Sequence, residues 1–366
     1  MGQGEKTVAK LDLAERRDGA ALDGVLVINK PAGWTSHDVV AKARKLLRVS
    51  KVGHTGTLDP TATGVLLLCL GKATRIAEYL INTDKEYRAV LRLGVATDTQ
   101  DATGNVVGRA EGMLPDQAAI AAVMASFVGR LQQVPPMYSA IKVKGVPLYK
   151  SARAGRTVPR APREFTVRSL QVLSIVPTPP EAACVRDAQV GVGGAPRGPV
   201  AHPNATSDGP PPATMDVTFD VVCSKGTYVR TLCADMGEAL GVGGHLARLE
   251  RRRVGRFGIE DALSLDELAE LAEREAVESR LFSPSAALTD LPALVIDEVA
   301  VRGIHHGVAV PATRVVETEG VWAVGDSVRL LGPDGRLLAI GKVPCGPEDL
   351  RQAAPGTLLK LEKVLV

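Results

Sequence analysis

The most regular pattern of hydrophobic and polar positions in the chain lies at residues 87–94. Apolar side chains occupy every second position there and mostly charged ones lie between them, which predicts a strand. Over residues 116–127 the apolar side chains follow the i, i+3, i+4, i+7 rule, which predicts an amphipathic helix. Two short apolar runs, Gly24–Lys30 and residues 65–70, predict buried strands.

Local signals predict the other elements. Residues 35–38, Thr-Ser-His-Asp, have the form of a capping box and predict a helix that runs to about Leu47. Further helices are predicted at residues 73–81, from about Thr227 to a stop marked by Met236, Gly237 and Gly241, and at residues 265–281. Further strands are predicted at residues 166–176, Met215–Cys223, Ser327–Leu331, Leu337–Lys342 and residues 357–364.

Residues 177–214 differ in composition from the rest of the chain. The segment holds nine prolines and five glycines in 38 residues and has no Phe, Tyr or Trp. This exceeds the proline-plus-glycine share of about 25–30% that is typical of low-complexity sequence. Such a segment buries too little apolar surface to order itself. We predict a disordered surface insertion between two strands.

The pattern of apolar and turn-forming residues changes again near the C-terminus. From residue 293 onward, short apolar runs alternate with glycine-rich turns, which is typical of a compact β-barrel-like module. Ser283-Pro284-Ser285 is the candidate linker, so we expect a boundary near residues 284–292. At the other end, residues 1–21 are polar and charged and predict a flexible tail.

Composition limits the possible classes of protein. A chain of 366 residues with 45% hydrophobic residues suggests about two or three globular domains. The net charge of +3 does not indicate a nucleic-acid partner unless charges cluster locally. Five cysteines without a CxxC pair argue against a disulfide framework or a zinc site. No apolar run approaches the ~18 residues of a membrane span, and no signal peptide is predicted, so we expect a soluble cytoplasmic protein.

Residues 53–64, between two predicted strands, are the strongest candidate for chemistry. They include three glycines, four threonines and a single carboxylate, Asp59, directly before Pro60. A carboxylate can act as a nucleophile at a sugar carbon, although hydrolysis of a glycosidic bond normally needs a second acid, which this loop lacks. The alternative is an ordinary Asx turn before proline.

Two basic clusters suit phosphate contacts. The first comprises Lys142, Lys144, Lys150, Arg153, Arg156, Arg160 and Arg163, and the second comprises Arg248, Arg251, Arg252, Arg253 and Arg256. A solvated charged surface explains either cluster alone equally well, but it explains the presence of both less well.

Four further residues have both a functional and a structural interpretation. Tyr87 and Tyr228 are candidates for stacking on unpaired bases, but core packing is the commoner fate of a lone tyrosine. His54 is either a core histidine or a wedge that stacks on bases. Arg230 either orients an acid or is an ordinary arginine on a helix surface.

Four motifs are specific enough to compare with known families. They are KPAGWTS at residues 30–36, GHTGTLDPTATG at 53–64, PPMYSA with Lys142 and Gly145 from 135 onward, and CSKGTYVR at 223–230. Taken together, these segments resemble the TruB family of tRNA pseudouridine synthases. The resemblance spans about residues 22–285, and residues 290–366 are similar to a PUA-type RNA-binding module. It implies an α+β fold, in which a catalytic domain with a central mixed or antiparallel sheet flanked by helices precedes that small β-barrel-like module.

The resemblance implies conversion of the T-loop uridine at tRNA position 55 to pseudouridine. Asp59 corresponds to the catalytic nucleophile and Tyr87 to the aromatic residue that stacks on the target base and removes a proton. Arg230 corresponds to the arginine that pairs with the catalytic carboxylate. The partner implied is the T-arm of tRNA, and no cofactor, metal, guide RNA or obligatory protein partner is expected.

The resemblance also assigns residues that bind the substrate. His54 corresponds to the histidine that fills the gap left by the flipped base, and Tyr228 and Leu249 to residues that line the uracil pocket. The supporting and RNA-contacting positions are Lys30, Pro31, Lys142, Lys150, Arg153 and Arg252. Glu250 departs from the family, which usually has arginine there, so the phosphate contact expected at this position falls to Arg252 and Arg253. The insertion at residues 177–214 is a second departure, and we predict that it has little effect on catalysis.

Other functions compete with this one. The nearest is a guide-RNA-dependent relative of the same family. A different class is a non-catalytic RNA-binding or tRNA-folding protein, which would need the basic clusters and the C-terminal module but not Asp59. A phosphate-binding hydrolase is excluded because no Walker lysine follows the glycine-containing loop.

Overall fold

The computed structural model describes residues 22–139, 141–143, 145–178, 214–354 and 356–366, without the side chains of Arg153 and Arg351. The tail predicted at residues 1–21 and residues 179–213 of the predicted insertion lie outside the described residues.

The secondary structure alternates strands and helices along the whole chain. Up to Leu93 the elements are β1 (Gly24–Lys30), α1 (Ser36–Leu47), β2 (Val52–His54), β3 (Thr63–Leu70), a 3-10 helix (Gly71–Ile76), α2 (Ala77–Ile81) and β4 (Lys85–Leu93). Up to Val254 they are β5 (Val95–Thr97), β6 (Val106–Arg109), α3 (Gln117–Ser126), β7 (Gly129–Gln133), β8 (Lys142–Val143), β9 (Val146–Pro147), α4 (Leu148–Arg153), β10 (Arg163–Pro177), β11 (Met215–Cys223), α5 (Val229–Ala239) and β12 (Gly244–Val254). The remainder are β13 (Phe257–Gly258), α6 (Leu265–Glu273), α7 (Pro284–Ala287), β14 (Ala293–Ile296), α8 (Glu298–His305), β15 (Val310–Pro311), β16 (Val315–Glu319), β17 (Ser327–Leu331), β18 (Leu337–Lys342), α9 (Pro347–Arg351) and β19 (Leu358–Val364), with 3-10 turns at Ile259–Asp261, Val277–Arg280 and Ala312–Arg314.

The chain forms two compact units. The first comprises the described part of Met1–Thr83 together with Val254–Val366, and the second comprises Asp84–Arg253.

In the first unit, β1 and β2 both pair antiparallel with β3. Val25 and Val27 of β1 enter one hydrophobic core, and Leu26 and Ile28 enter another. Both faces of β1 are therefore buried, which explains why its sequence is apolar without alternation. Helix α1 begins with the predicted capping box, in which Thr35 is the N-cap, and it packs against β2 and α6.

The C-terminal part of the first unit contains a six-stranded sheet in the order β15-β19-β18-β17-β14-β16. Strand β14 is parallel to β17, and the other described pairs in this sheet are antiparallel. Strands β17 and β18 have the bounds predicted from the sequence, and β19 begins one residue later than predicted. The sheet packs Leu294, Val328, Leu330 and Leu359 into its own apolar core, together with Trp322.

The second unit is built on strands in the order β12-β4-β11-β10-β7. The alternation predicted for residues 87–94 is confirmed, because Tyr87, Ala89 and Leu91 are buried on one face of β4. Helix α5 packs against β4 and α3. Gly237 lies inside α5 rather than at its end, and a Cβ there would fall 2.3 Å from the backbone nitrogen of Gly244, so glycine allows this close packing.

Two helix predictions need correction. A single helix at residues 265–281 is wrong, because α6 ends at Glu273 and a separate 3-10 turn follows at Val277–Arg280. Glu275 adopts a φ of +53° between them, and a left-handed residue ends an α-helix. The predicted helix at residues 73–81 is a 3-10 turn that continues into the short α2.

Some classes of site are not found in the described part of the chain. None of its helices is long and apolar enough to cross a membrane. No group of three or more His, Cys, Asp or Glu side chains among the described residues is placed to hold a metal ion. Cys69, Cys223 and Cys233 are buried free thiols, and burial raises the pKa of Cys223 to about 11.

Candidate active site

The loop of residues 53–64 runs from β2 into β3, and the half-buried Asp59 lies near its middle. The amide of Ala62 donates to the carbonyl of Asp59 at 3.1 Å, which closes a tight turn after the acid. Gly56 and Gly64 have φ angles of +114° and +101°. Because L side chains rarely adopt such angles, glycine is needed at both bends.

The backbone on both sides of Asp59 is held by hydrogen bonds. The amide of Leu58 donates to Oγ of Ser36 at 2.9 Å, and this hydroxyl donates back to the Leu58 carbonyl at 3.2 Å. On the other side, the carbonyl of Pro60 accepts from the amide of Gly33 at 2.8 Å. Ser36 is the first residue of α1 and is fully buried. The start of α1 therefore fixes where the carboxylate is presented.

Lys30 adds a third anchor to the same loop. Its ammonium group donates to the carbonyls of Pro31 at 3.0 Å, Trp34 at 2.7 Å and Pro60 at 3.2 Å. The residue is completely buried, and a buried ammonium requires such partners because desolvation is costly. These contacts join the KPAGWTS segment to the loop of Asp59. The supporting role of Lys30 and Pro31 in catalysis remains a prediction.

His54 is the last residue of β2 and is half-buried. Its ring stands edge-to-face with the ring of His37 on α1, with centroids 5.3 Å apart and an interplanar angle of 78°. A histidine of the core would be fully enclosed, so the partial exposure of His54 argues against that alternative. Its role as a wedge remains a prediction.

Tyr87 lies in the second unit, on β4 opposite Val221 of β11. It is 9% exposed, so packing covers most of its ring. Lys85, two residues earlier on the strand, is also buried. Burial first, and then the charge of Arg251, lower the pKa of Lys85 to about 8. The stacking role of Tyr87 remains a prediction.

Arg230 lies in the first turn of α5 and is 5% exposed, so it is not an ordinary surface arginine. Its Nη2 donates to the carbonyl of Tyr138 at 2.5 Å, and its Nη1 lies 3.7 Å from Oδ2 of Asp101. Asp101 is itself held by the hydroxyls of Thr99 and Thr103. Asp101 was not among the predicted site residues. The available signal was an acid flanked by threonines in the turn after β5.

Tyr228 is the N-cap residue of α5 and is half-buried. Its backbone is held by the side chain of Gln133, whose Oε1 accepts from the Tyr228 amide at 2.6 Å and whose Nε2 lies 3.4 Å from the Tyr228 carbonyl. Leu249, the other residue predicted to line the uracil pocket, is half-buried on β12. Gln133 was also missed by the sequence patterns, since a single glutamine gives no local signal.

The described part of the first basic cluster is mostly exposed, but Arg160 is half-buried. Lys142 on β8 and Lys150 on α4 are exposed, and Arg160 donates to the carbonyl of Pro135 at 3.0 Å. Lys144 and the side chain of Arg153 lie outside the described part of the structure.

Only some residues of the second basic cluster are exposed to solvent. Arg251 is 1% exposed on β12, so its placement in a solvent-facing patch is wrong. Arg253 forms an ion pair with Glu86, and Arg252 lies 3.5 Å from the carboxylate of Glu250. The two carboxylates offset part of the positive charge. Arg252 is half-exposed, and its contact with RNA remains a prediction.

The predicted site residues are thus distributed over two units. Lys30, Pro31, His54 and Asp59 belong to the first unit, where the loop of residues 53–64 and the start of α1 are bonded to each other. The second unit contains Tyr87, Lys142, Lys150, Arg153, Tyr228, Arg230, Leu249 and Arg252.

Three family models match this chain one after another. Residues 44–190 match the TruB family pseudouridylate synthase N-terminal domain. Residues 230–291 match the tRNA pseudouridylate synthase B C-terminal domain, and residues 292–365 match the PUA domain.

Whole-chain comparisons agree with the family models. The chain is 40% identical over 333 residues to the tRNA pseudouridine synthase B of Burkholderia pseudomallei strain 668, which covers 90% of this chain and 97% of that protein. It is 44% identical over 301 residues to the protein of the same name from Symbiobacterium thermophilum, with 82% and 87% covered.

Solved structures show the same fold. A crystal structure of a Cbf5-Nop10-Gar1 complex has a chain that matches with a TM-score of 0.68 at 28% identity, over 94% of this chain and 85% of that one. A structure of an H/ACA RNP bound to a substrate RNA containing 2'-deoxyuridine has a chain that matches with a TM-score of 0.66 at 25% identity, over 98% and 93%. The α+β fold with a C-terminal PUA domain is therefore confirmed, and the chain belongs to the TruB family of pseudouridine synthases.

Proposed function

We propose that this protein converts the uridine at position 55 in the T-loop of tRNA to pseudouridine, with Asp59 as the catalytic carboxylate. The observation that carries the proposal is the near-full-length similarity to relatives named tRNA pseudouridine synthase B. The anchored loop around Asp59 adds a physical reason, because hydrogen bonds to both of its neighbours preorganise the acid.

The reaction is an isomerisation and conserves every atom of the uridine. The bond between N1 of uracil and C1' of ribose breaks, the base turns, and a bond forms between C5 and C1'. The proton on C5 leaves and N1 ends with a proton, so neither water nor an oxidant is consumed. A single carboxylate suffices, either by attacking the ribose or by assisting loss of a proton from it.

The other predicted site residues supply the remaining parts of this chemistry. Tyr87 stacks on the target base and removes its C5 proton. Arg230 provides the positive charge that keeps the catalytic carboxylate ionised, since an opposite charge favours the charged form. Tyr228 and Leu249 line the pocket that receives the uracil.

The target base must leave its stack before it can react, at a cost of a few kcal/mol. His54 offsets part of that cost by filling the gap. Phosphate contacts from Lys142, Lys150, Arg153 and Arg252 hold the T-arm, and the PUA domain at residues 292–365 provides a further RNA-binding surface.

The decisive test measures tritium release from tRNA that carries uridine labelled with tritium at C5. The unmodified protein should release tritium, and pseudouridine should map to position 55. Asp59→Asn should stop release while the dissociation constant for tRNA changes little. Asp266→Asn is the matched control, because Asp266 is an exposed acid of the same unit on α6. Full release by Asp59→Asn would refute the assignment.

A second arm separates the stand-alone enzyme from a guide-dependent one. The purified chain should modify a bare T-arm hairpin without any guide RNA or partner protein. Tight binding of the hairpin without tritium release would instead favour a non-catalytic tRNA-folding protein.

A further inference from the structure

The side chain of Gln133 is hydrogen-bonded to the backbone of Tyr228, the residue at the start of α5. We infer that Gln133 is a positioning residue for the isomerisation, which holds Tyr228 in the orientation that the uracil pocket requires. The inference rests on the proposed function, because it takes Tyr228 as a wall of that pocket.

The two residues meet through one side chain and one stretch of backbone. Oε1 of Gln133 accepts from the amide of Tyr228 at 2.6 Å, and Nε2 lies 3.4 Å from the Tyr228 carbonyl. The same carbonyl accepts the first helical bond of α5 from the amide of Leu232 at 3.0 Å. A carbonyl has two acceptor positions, so both bonds are compatible. The glutamine thus holds both polar groups of the Tyr228 backbone.

This contact acts on the cap residue itself rather than on the first amides of the helix. Tyr228 is the N-cap residue of α5, and none of its own side-chain atoms caps the helix. A typical N-cap side chain fixes the first turn from within the chain. Here the orientation of the cap residue is instead set from β7, where Gln133 is paired with Arg163 of β10. A strand in a sheet is a rigid support for such a contact.

Burial makes the contact specific. Gln133 is 4% exposed, and a buried amide must find partners because its desolvation is not otherwise compensated. Its neighbour Gln132 lies on the same strand but is exposed. The two adjacent glutamines therefore differ in burial and in the contact with Tyr228, and only Gln133 holds that residue.

The segment after Gln133 contacts α5 a second time. The carbonyl of Tyr138 accepts the 2.5 Å hydrogen bond from Arg230, two residues beyond Tyr228. Between these contacts, Arg160 of the first basic cluster donates to the carbonyl of Pro135. The segment from Gln133 to Tyr138 is thus bonded to two candidate site residues, Tyr228 and Arg230, and to Arg160 of the first basic cluster. Tyr138 and Pro135 make these contacts through backbone carbonyls, whereas Gln133 contacts Tyr228 through its side chain, which a substitution can remove.

The test compares Gln133→Met, Gln133→Glu and the matched control Gln132→Met. Gln133→Met keeps the shape of the side chain and removes both hydrogen bonds. It should lower the single-turnover rate of pseudouridine formation by about tenfold to a hundredfold, the scale expected of a misplaced reacting group. The dissociation constant for tRNA should stay within about threefold, because phosphate contacts dominate affinity. Gln133→Glu keeps the acceptor for the Tyr228 amide and should recover part of the lost rate.

A double-mutant cycle distinguishes positioning from a general structural role. In a Tyr228→Ala background no ring remains to be oriented, so adding Gln133→Met should cost less than about threefold. A purely structural role would keep its full effect in that background and would overturn the inference. A normal rate for Gln133→Met, or an equal loss for Gln132→Met, would also overturn it.

The two hypotheses fail in different ways. If the unmodified protein forms no pseudouridine in tRNA, the proposed function is refuted and the inference with it. If the unmodified protein is active and Gln133→Met is equally active, only the inference is refuted. Should Gln133→Met not fold, Gln133→Glu in the wild-type and Tyr228→Ala backgrounds provides the same comparison.

Discussion

Arg92 and Asp216 form a bidentate ion pair across the neighbouring strands β4 and β11. Nε and Nη2 of the arginine lie 2.8 and 2.9 Å from the two carboxylate oxygens, and the side chains are 7% and 8% exposed. Four residues away on the same strands, Arg88 and Asp220 form a pair of the same geometry. Those side chains are 40% and 22% exposed. The two pairs differ mainly in their access to water.

Arg92→Met should reduce the free energy of unfolding by about 3–5 kcal/mol, because it leaves the Asp216 carboxylate buried without its partner. Arg88→Met, the control, should cost about 0–1 kcal/mol, the usual value for an exposed pair. Denaturant unfolding of both variants measures the difference. Arg92→Met/Asp216→Leu should be more stable than Arg92→Met alone, and equal costs for the two single variants would contradict the role of burial.

The same carboxylate should make the protein sensitive to acid. Burial raises the pKa of Asp216, but hydrogen bonds from Arg92 and Thr178 and the nearby positive charges outweigh it and hold the pKa below the ordinary value of 3.8. The folded state therefore binds this proton less readily than the unfolded state. The contribution of the ionised Asp216 carboxylate to the free energy of unfolding is therefore present above the pKa that this group has in the unfolded state. It is lost as the pH falls from about 4 through the pKa of the folded state. Unfolding midpoints measured below pH 4 should fall less steeply in Asp216→Asn than in the unmodified protein.

His245 should produce a separate transition at higher pH. The residue is completely buried, and its Nδ1 lies 2.8 Å from the carbonyl of Val95. Burial is the main cause that lowers its pKa below 6.5, and the charge of Arg92 adds to it, while the Val95 carbonyl and the acids Asp101 and Asp216 act in the opposite direction. Protonation would also place a second N–H on Nε2, which has no hydrogen-bond partner among the described residues.

The direction of the change in stability with pH follows from where His245 binds a proton. As the pH falls from about 7 towards the folded pKa, the unfolded state binds more protons at His245 than the folded state does, so the free energy of unfolding falls. His245→Asn keeps a donor near the position of Nδ1 and should flatten the pH dependence of unfolding between pH 7 and 5. His306→Asn, at an exposed histidine, is the control and should leave the slope unchanged. An unaltered slope in His245→Asn would contradict the prediction.

Ser36→Ala should affect both stability and catalysis. It removes the hydroxyl that bonds to the amide and the carbonyl of Leu58, next to Asp59. A buried donor left unsatisfied costs about 1–3 kcal/mol, and the loop that presents the carboxylate loses an anchor. We expect a lower unfolding midpoint and a lower rate of tritium release. Ser50→Ala, at an exposed serine, should change neither, and a normal rate in Ser36→Ala would show that the anchor is dispensable.

Replacing residues 179–213 with Asn-Gly should preserve the fold and the activity. Strands β10 and β11 stay in register to the pair Pro177 and Met215, and the amide of Thr178 donates to the carbonyl of Thr214 at 2.9 Å. A two-residue turn fits between such ends. The matched control also removes Thr178, whose hydroxyl donates to Asp216 at 2.9 Å, and it should be less stable. Loss of tritium release in the first variant would show that the insertion has a role in catalysis.

Local patterns were sufficient for the elements whose causes lie within a few residues. The capping box gave α1 its start, alternation gave β4 its buried face, and a continuous apolar run located β1. The prediction of one helix at residues 265–281 was wrong because the left-handed turn at Glu275 is not visible in hydrophobic spacing. The motif around Asp59 likewise identified the candidate loop without any structure.

The sequence by itself thus determined the family and much of the order of the elements, and it nominated Asp59 as the candidate acid, because motifs, periodicity and caps are short-range properties. Only the tertiary structure decided which side chains are buried and which groups they meet. It moved Arg251 from a surface patch to the interior, and it brought Gln133 to Tyr228 and Asp101 to Arg230. These pairs join residues far apart in the chain, and burial depends on everything packed around a side chain. Neither the long-range contacts nor the burial of a side chain can be determined from residues adjacent in sequence.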